Sequence, residues 1–325
     1  MTIGICNLGN TCFVATCIQC IYHMPELRDA ILNSTFGEGT VGSSVQSAID
    51  LMVKNQGNPQ MRLVPSSVVQ HINDKSGGLF APGEQHDLSE LWVWLIDRLH
   101  EDCAVSRPAP VHEDSLASLI ATTMHKYQQG KYSAILECVQ GSQIALVVCP
   151  KCSYKVTNVE PLTVLTLDVP EESEPPPALP LLLQRYFIKD TIEDWVCDKC
   201  KHRGGERASR LYHVPSCLAV VLKRFSMMPT GFMAKRTVPI SIANFLHFHA
   251  NAVLSKPRDA PPTTFELRAI GNHHGSYFGG HYTAVVKGNE EKWELADDDS
   301  VQTIENKDVS ETSRTAYMLF FNRMS

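Results

Sequence analysis

The 325-residue sequence has no uninterrupted apolar run approaching eighteen residues, so no membrane-spanning helix is expected. Its opening segment, MTIGICNLGN, has no basic stretch leading into an apolar core and does not read as a signal peptide. A basic excess is missing too. The net charge is −6, which argues against general nucleic-acid binding and suits a basic partner better. No internal repeat is visible. Neither a membrane nor a nucleic-acid partner is therefore expected. The chain is taken to be a monomer. Hydrophobic residues make up 43% of a chain long enough for a sizeable core, in one large domain or two small ones.

Residues 12 to 24 read as a helix, with Val14, Cys17, Ile18 and Ile21 at helical spacing, Asn10 or Thr11 as cap, and a break at Pro25. A second helix is expected over 87–102, with Leu88, Leu91, Leu95, Ile96 and Leu99 as its stripe. Trp92 and Trp94 on it cannot share one face, so one belongs to the core. SRPAPVHED (106–114), PEESEPPPALP (170–180) and PRDAPP (257–262) read as loops. After residue 135 the pattern turns to strands: SQIALVVC, TVLTLDV, CLAVVLKRF, TFELRAIG, HYTAVVK and AYMLFF. The fold class is α+β, a helical first third followed by a mainly β remainder.

Cysteine is plentiful. Eleven residues, an odd number without an export signal, suggest reduced thiols and a cytoplasmic or nuclear setting. Three C-x-x-C pairs occur. Cys17 and Cys20 lie inside the amphipathic helix and read as buried core thiols. Cys149/Cys152 and Cys197/Cys200 carry Pro, Lys and Asp in turn-like surroundings. Two such knuckles supply four thiolates for a closed tetrahedral structural site, so one structural Zn2+ is expected. The long gap between them requires a strand pair to fold back; His202 is not expected as a fifth ligand. Lys199, Lys201 and Arg203 are too few to make a basic patch for nucleic acid.

Cys12 falls in the first turn of its helix, where free N–H groups and the helix dipole favour a thiolate. A reactive thiolate still needs a base, an orienter for that base and oxyanion donors; from position alone a buried structural thiol fits as well. His281 follows two glycines and opens a strand. That strand and KWELADDDSV read as a hairpin. A turn centred on Asn289 would put His281 opposite Asp297, within reach for holding an imidazole tautomer. A slip of one residue would offer Asp298 instead. Asn7, on the turn before the helix, can donate to an oxyanion through its side-chain amide.

These residues lie in segments that resemble the catalytic domain of the ubiquitin-specific proteases, papain-like cysteine deubiquitinases. GICNLGNTCFVATCIQ is similar to that family's cysteine box and GEQHDLSELWVWLIDRLHE to its Gln-Asp-Glu helix. The two knuckles, LAVVLKRF, HHGSYFGGHYTAVV, WELADDDSV and AYMLFFNR follow in family order, so the resemblance runs over about residues 4–323. Phe13-Val14-Ala15-Thr16 and Ala296 depart from the usual pattern.

The resemblance implies a hand-shaped single domain over 1–325. Its thumb would span about 1–115, its zinc-ribbon fingers about 135–215, and its palm about 116–134 and 216–325. With the cysteine box starting at residue 4, no regulatory domain is expected ahead of it. The implied roles are Cys12 as nucleophile, His281 as base, Asp297 as third member with Asp298 as the alternative, and Asn7 at the oxyanion. Gln85, Asp87, Glu90, Phe225, Tyr282 and His273 would hold the substrate tail, and 272–280 would form a loop over its channel. The implied activity is hydrolysis after the C-terminal Gly-Gly of ubiquitin through a Cys12 thioester. The alternatives are a protease for a ubiquitin-like modifier and a catalytically weak ubiquitin-binding scaffold.

Overall fold

In the computed structural model every residue is described except 1, 59, 111–114, 172–174, 228–230, 250–251, 256–260, 278, 289–290, 306–308, 310–311 and 325. Parts of the three expected loops (111–114, 172–174 and 257–260) and the expected hairpin turn at Asn289 lie outside the described residues.

All of α1 (Cys12–Tyr22) is buried, Cys17 and Cys20 completely so. Its sequence, CFVATCIQCIY, has no charged side chain, and a helix without a polar face belongs inside a protein. It ends at Tyr22, two residues before the expected Met24. Pro25 opens α2 (Pro25–Asn33) as a first-turn proline, and the residue before a proline is pushed out of helical geometry. The helical layer continues with α3 (Val41–Lys54), α4 (Ser66–Lys75) and α5 (Leu88–Cys103). Asp87 caps α5, its carboxylate accepting from the backbone N–H groups of Ser89 and Glu90. Of the two tryptophans, Trp92 is core and meets Phe320 edge-on at 4.9 Å, whereas Trp94 is half-buried against Phe80.

Under α1 lies an eight-stranded sheet. Its order is Ser300–Ile304, Trp293–Asp297, Gly279–Lys287, Thr263–Ser276, Ala316–Arg323, Cys217–Lys223 and Leu165–Asp168, with Phe245–Phe248 paired to the far end of Thr263–Ser276. Helices α2, α3 and α5 cover one side of α1; the strands Gly279–Lys287 and Thr263–Ser276 cover the other. The approach is close at Gly271, where a Cβ would fall 2.5 Å from Leu88 of α5. Helix α6 (Leu116–Tyr127) backs a second, four-stranded sheet, while α7 (Ala134–Val139) packs on α2 and α5. Helix α8 (Leu179–Tyr186) packs on Leu165–Asp168.

The four-stranded sheet places Gly141–Val148 and Arg203–His213 at its centre, flanked by Lys155–Leu162 and Asp190–Val196. Each central strand is joined to its outer neighbour through a C-x-x-C turn. The mixed helix and sheet content matches the α+β expectation.

His23, just past α1, is fully enclosed. Its Nδ1 donates to the Gln19 carbonyl and its Nε2 accepts from the Thr2 hydroxyl, both at 2.8 Å, so only the neutral ring is satisfied. Burial lowers its pKa to about 4. The unfolded chain therefore binds a proton that the folded one refuses. This contribution to stability is complete above pH ~6.5 and is lost as pH falls toward 4, up to about 3 kcal/mol. Urea unfolding from pH 7 to pH 4.5 should show this loss, and His23→Gln should flatten it.

Candidate active site

The loop before α1 is built by Asn7. Its side-chain carbonyl accepts from the backbone N–H of Gly9 and of Thr11, both at 3.0 Å. Gly9 (φ 99°) and Asn10 (φ 55°) supply the left-handed backbone this tight loop needs. Thr11 takes the cap position without making a side-chain cap bond, and Cys12 is the first helical residue.

The helix terminus does not by itself ionise Cys12. Burial raises the thiol pKa, with the Asp298 charge adding to it, against the backbone N–H groups of Tyr282, Phe13 and Cys12, which favour the thiolate. Burial therefore opposes the ionisation that the first helical turn favours.

The strand carrying His281 pairs with the strand carrying Asp297, in a register two residues from the expected one: Ala284 faces Ala296, where Glu294 was expected. His281 and Asp297 are therefore not directly opposed. An even shift keeps Asp297 on the same face, as a diagonal neighbour. His281 Nε2 meets Asp297 Oδ1 at 2.6 Å, while Asp298 Oδ2 is 4.0 Å away. Asp298 and Asp299 form a two-residue hairpin turn between Asp297 and Ser300, with Asp298 at φ 51°.

This turn is also a docking point. Ile5 N–H donates to the Asp298 carbonyl at 2.9 Å, and Gly4 lies so close that a Cβ there would be 2.2 Å from the Asp299 carbonyl oxygen. Asn7 Nδ2 donates to Asp298 Oδ2 at 2.9 Å. One amide N–H of the expected oxyanion donor is thus held by the expected alternative third member.

A cleft of about 510 Å3 runs between helices and sheet, lined by Cys12, Gln85, Asp87, Glu90, Phe225, His273 and Tyr282 among others. Six of the seven are the residues expected to hold a substrate tail. They are not equally available. The Asp87 carboxylate is occupied by its cap bonds and by the Tyr317 hydroxyl at 2.7 Å and the Tyr282 hydroxyl at 3.4 Å. Glu90 is exposed. Phe225 packs edge-on against His273 (5.2 Å) and Tyr317 (5.5 Å). Burial, reinforced by Lys235, lowers the His273 pKa to about 4, so its ring is neutral at pH 7. Lys235 Nζ donates to the His273 carbonyl at 2.5 Å and anchors that stretch from behind. Tyr317 and Lys235 were not foreseen. AYMLFF shows only a strand, and the Tyr317 partner lies 230 residues away.

Away from the cleft, the Sγ atoms of Cys149, Cys152, Cys197 and Cys200 lie within 4.8 Å of one another, with Cys149–Cys200 and Cys152–Cys197 both at 3.6 Å. Four sulfurs each about 2.3 Å from one tetrahedral ion would sit about 3.8 Å apart, so the set fits such an ion. The knuckles are near copies. The first cysteine accepts from the N–H four residues on (Ser153, Lys201), donates its own to the carbonyl five on (Tyr154, His202), and Ser153 and Lys201 both have positive φ. The four-sulfur group does not include His202.

The profile of the family described as "Ubiquitin carboxyl-terminal hydrolase" matches residues 3–321. This chain belongs to that family. Among curated relatives, ubiquitin carboxyl-terminal hydrolase 4 of Saccharomyces cerevisiae is 26% identical over 364 residues, covering 99% of this chain and 39% of that protein. Ubiquitin carboxyl-terminal hydrolase 2 of Rattus norvegicus is 26% identical over 346 residues, covering 99% and 54%. The chain thus spans about two fifths of the length of the yeast relatives it matches. Among solved structures, a chain of the SAGA Ubp8/Sgf11/Sus1/Sgf73 DUB module bound to ubiquitin aldehyde aligns with a TM-score of 0.77 at 21% identity, over 99% of this chain and 70% of that one. The same module bound to monoubiquitin gives 0.77 at 22% identity, over 99% and 69%. The fold of this hydrolase family member is therefore that of the family. The solved chains sit in a multi-subunit module, which lends the expected monomer no support.

Proposed function

We propose that this chain is a thiol protease that cleaves after the C-terminal glycine of ubiquitin. The observation that carries the reading is the 2.6 Å contact between His281 Nε2 and Asp297, beside a cleft that holds Cys12. A carboxylate accepts only, so Nε2 carries the proton and Nδ1 is left as the basic nitrogen. His281 takes the Cys12 proton through Nδ1, and the thiolate attacks the carbonyl of the last glycine. The negative oxygen that forms is stabilised by the Asn7 amide, held in place by Asp298, and by N–H groups at the α1 terminus. His281 passes the proton to the departing amine, and the thioester remains on Cys12. Water, deprotonated by His281, then releases the acid and restores the thiol.

Phe225, His273, Tyr277 and Tyr317 line the cleft with bulky rings, a lining that suits a tail ending in glycine at the scissile bond. Glu90, exposed at the rim, is the available carboxylate for a basic residue upstream. Cys149, Cys152, Cys197 and Cys200 would hold one structural zinc, which would tie together the two C-x-x-C turns of the four-stranded sheet. A reducing compartment, the cytosol or nucleus, would suit the thiols that both sites require.

Ubiquitin bearing a C-terminal electrophile should form one adduct by intact mass, absent in Cys12→Ala. His281→Ala should abolish hydrolysis of a ubiquitin conjugate; full activity in either variant would end the proposal. An adduct only with a related modifier would redirect the substrate.

Asp297→Ala should lower turnover by about 10²–10⁴-fold, and more than Asp298→Ala does, in kcat measurements. The opposite ranking would assign the orienting role to Asp298. Metal analysis of purified protein should find about one zinc per chain, and none after Cys149→Ser with Cys200→Ser.

A further inference from the structure

Gln85 stands in the loop ahead of α5, on the helical wall of the cleft, and Gly280 stands on the sheet wall, immediately before His281. Gln85 Nε2 donates to the Gly280 carbonyl at 2.8 Å, and Gly280 N–H donates to Gln85 Oε1 at 2.8 Å. One side-chain amide satisfies both polar groups of one peptide residue, as a neighbouring strand would.

Among the described residues that neighbour is missing at this point. The strand Trp293–Asp297 pairs with Gly279–Lys287 only from Ala284 to Lys287, so the stretch 279–283 has a ladder partner on one side alone. An unpaired strand end is the part of a sheet most free to move. Tyr282, on the other side of His281, is tied to the same loop: its hydroxyl lies 3.4 Å from Asp87 Oδ2 and 3.4 Å from the Leu88 N–H. His281 is thus flanked by two residues clipped to 85–88. Gly280 itself has no freedom to become anything else, since a Cβ would lie 2.2 Å from the His274 carbonyl oxygen and 2.3 Å from His273 Nε2.

The catalytic sulfur and the base ring sit on opposite walls, and among the described residues no hydrogen bond joins them. Their separation therefore depends on what fixes one wall against the other. We infer that Gln85 is a positioning residue for His281: its amide replaces the absent strand, fixes Gly280, and so sets the imidazole over Cys12. This rests on the reading of His281 as the base, and it gives Gln85 a role other than the tail contact expected from the sequence.

The test compares wild type, Gln85→Ala, Gln85→Glu and Glu90→Ala in two assays. One is hydrolysis of a fluorogenic ubiquitin C-terminal amide, read as kcat and KM. The other is alkylation of Cys12 by iodoacetamide from pH 5 to 9 without substrate, with His281→Ala as the reference for a lost base. Gln85→Ala should lower kcat about tenfold with KM changed less than about twofold, as a misplaced base does. Its alkylation below pH 7 should fall about tenfold toward that of His281→Ala, because the misplaced imidazole no longer takes the Cys12 proton. Gln85→Glu keeps the acceptor for Gly280 N–H and should lose less. Glu90→Ala should move KM alone.

A rise in KM at unchanged kcat in Gln85→Ala would make Gln85 a tail contact and overturn the inference. Faster alkylation would make it a plug and overturn it equally. If wild type shows no Cys12-dependent hydrolysis, the proposed function fails, while the alkylation profiles still decide whether Gln85 positions His281.

Discussion

The enclosure of α1 by helices on one side and sheet on the other governs the rest of the molecule. Apolar surface on all sides of a helix drives both layers onto it, and no exposed face remains along which it could slide. Its first residue then has a fixed place at the seam where the layers part. The seam is the cleft. The same enclosure sets the chemistry, because a sulfur largely withdrawn from water ionises less readily than a helix terminus alone would suggest. In the proposed reaction the opposite wall must therefore take the proton, and the alignment of the walls matters to it.

Two short turns do most of the aligning. The Asn7 loop delivers Cys12 into α1, and the Asp298–Asp299 turn delivers Asp297 to His281. They touch each other through Gly4, Ile5 and Asn7. Residues near the two ends of the chain thereby form one rigid corner. Asp298 belongs to it as a link between the turns, so nearness to the imidazole is a poor guide to what it does.

Much of this was legible in the sequence, for reasons that differ between elements. The helix at CFVATCIQCIY was legible from its apolar spacing, although it reads as amphipathic and is in fact buried on every side, and paired C-x-x-C turns bring four sulfurs together almost regardless of what separates them. The side of the sheet on which Asp297 falls was legible, because alternation survives an even error in register. The register itself was not, since Lys287 pairs with Trp293 and the connection is two residues longer than a turn centred on Asn289 allows. Local pattern also could not show that the Asp87 carboxylate is consumed by Tyr317 and Tyr282, or that Gln85 grips Gly280. Those contacts join residues about 200 positions apart, and only the packed layers create them.

Cys12 on α1 and His281 on the sheet lie 269 residues apart in the polypeptide, with a consequence for biosynthesis. Translation proceeds at about 5–20 residues per second, so Cys12 leaves the ribosome roughly 13–54 s before His281. Throughout that interval the apolar helix has at most its helical cover, and the face destined for the sheet is bare. That face stays an adhesive surface until the two strands that cover it, Thr263–Ser276 and Gly279–Lys287, arrive, and Asp297 follows only after them.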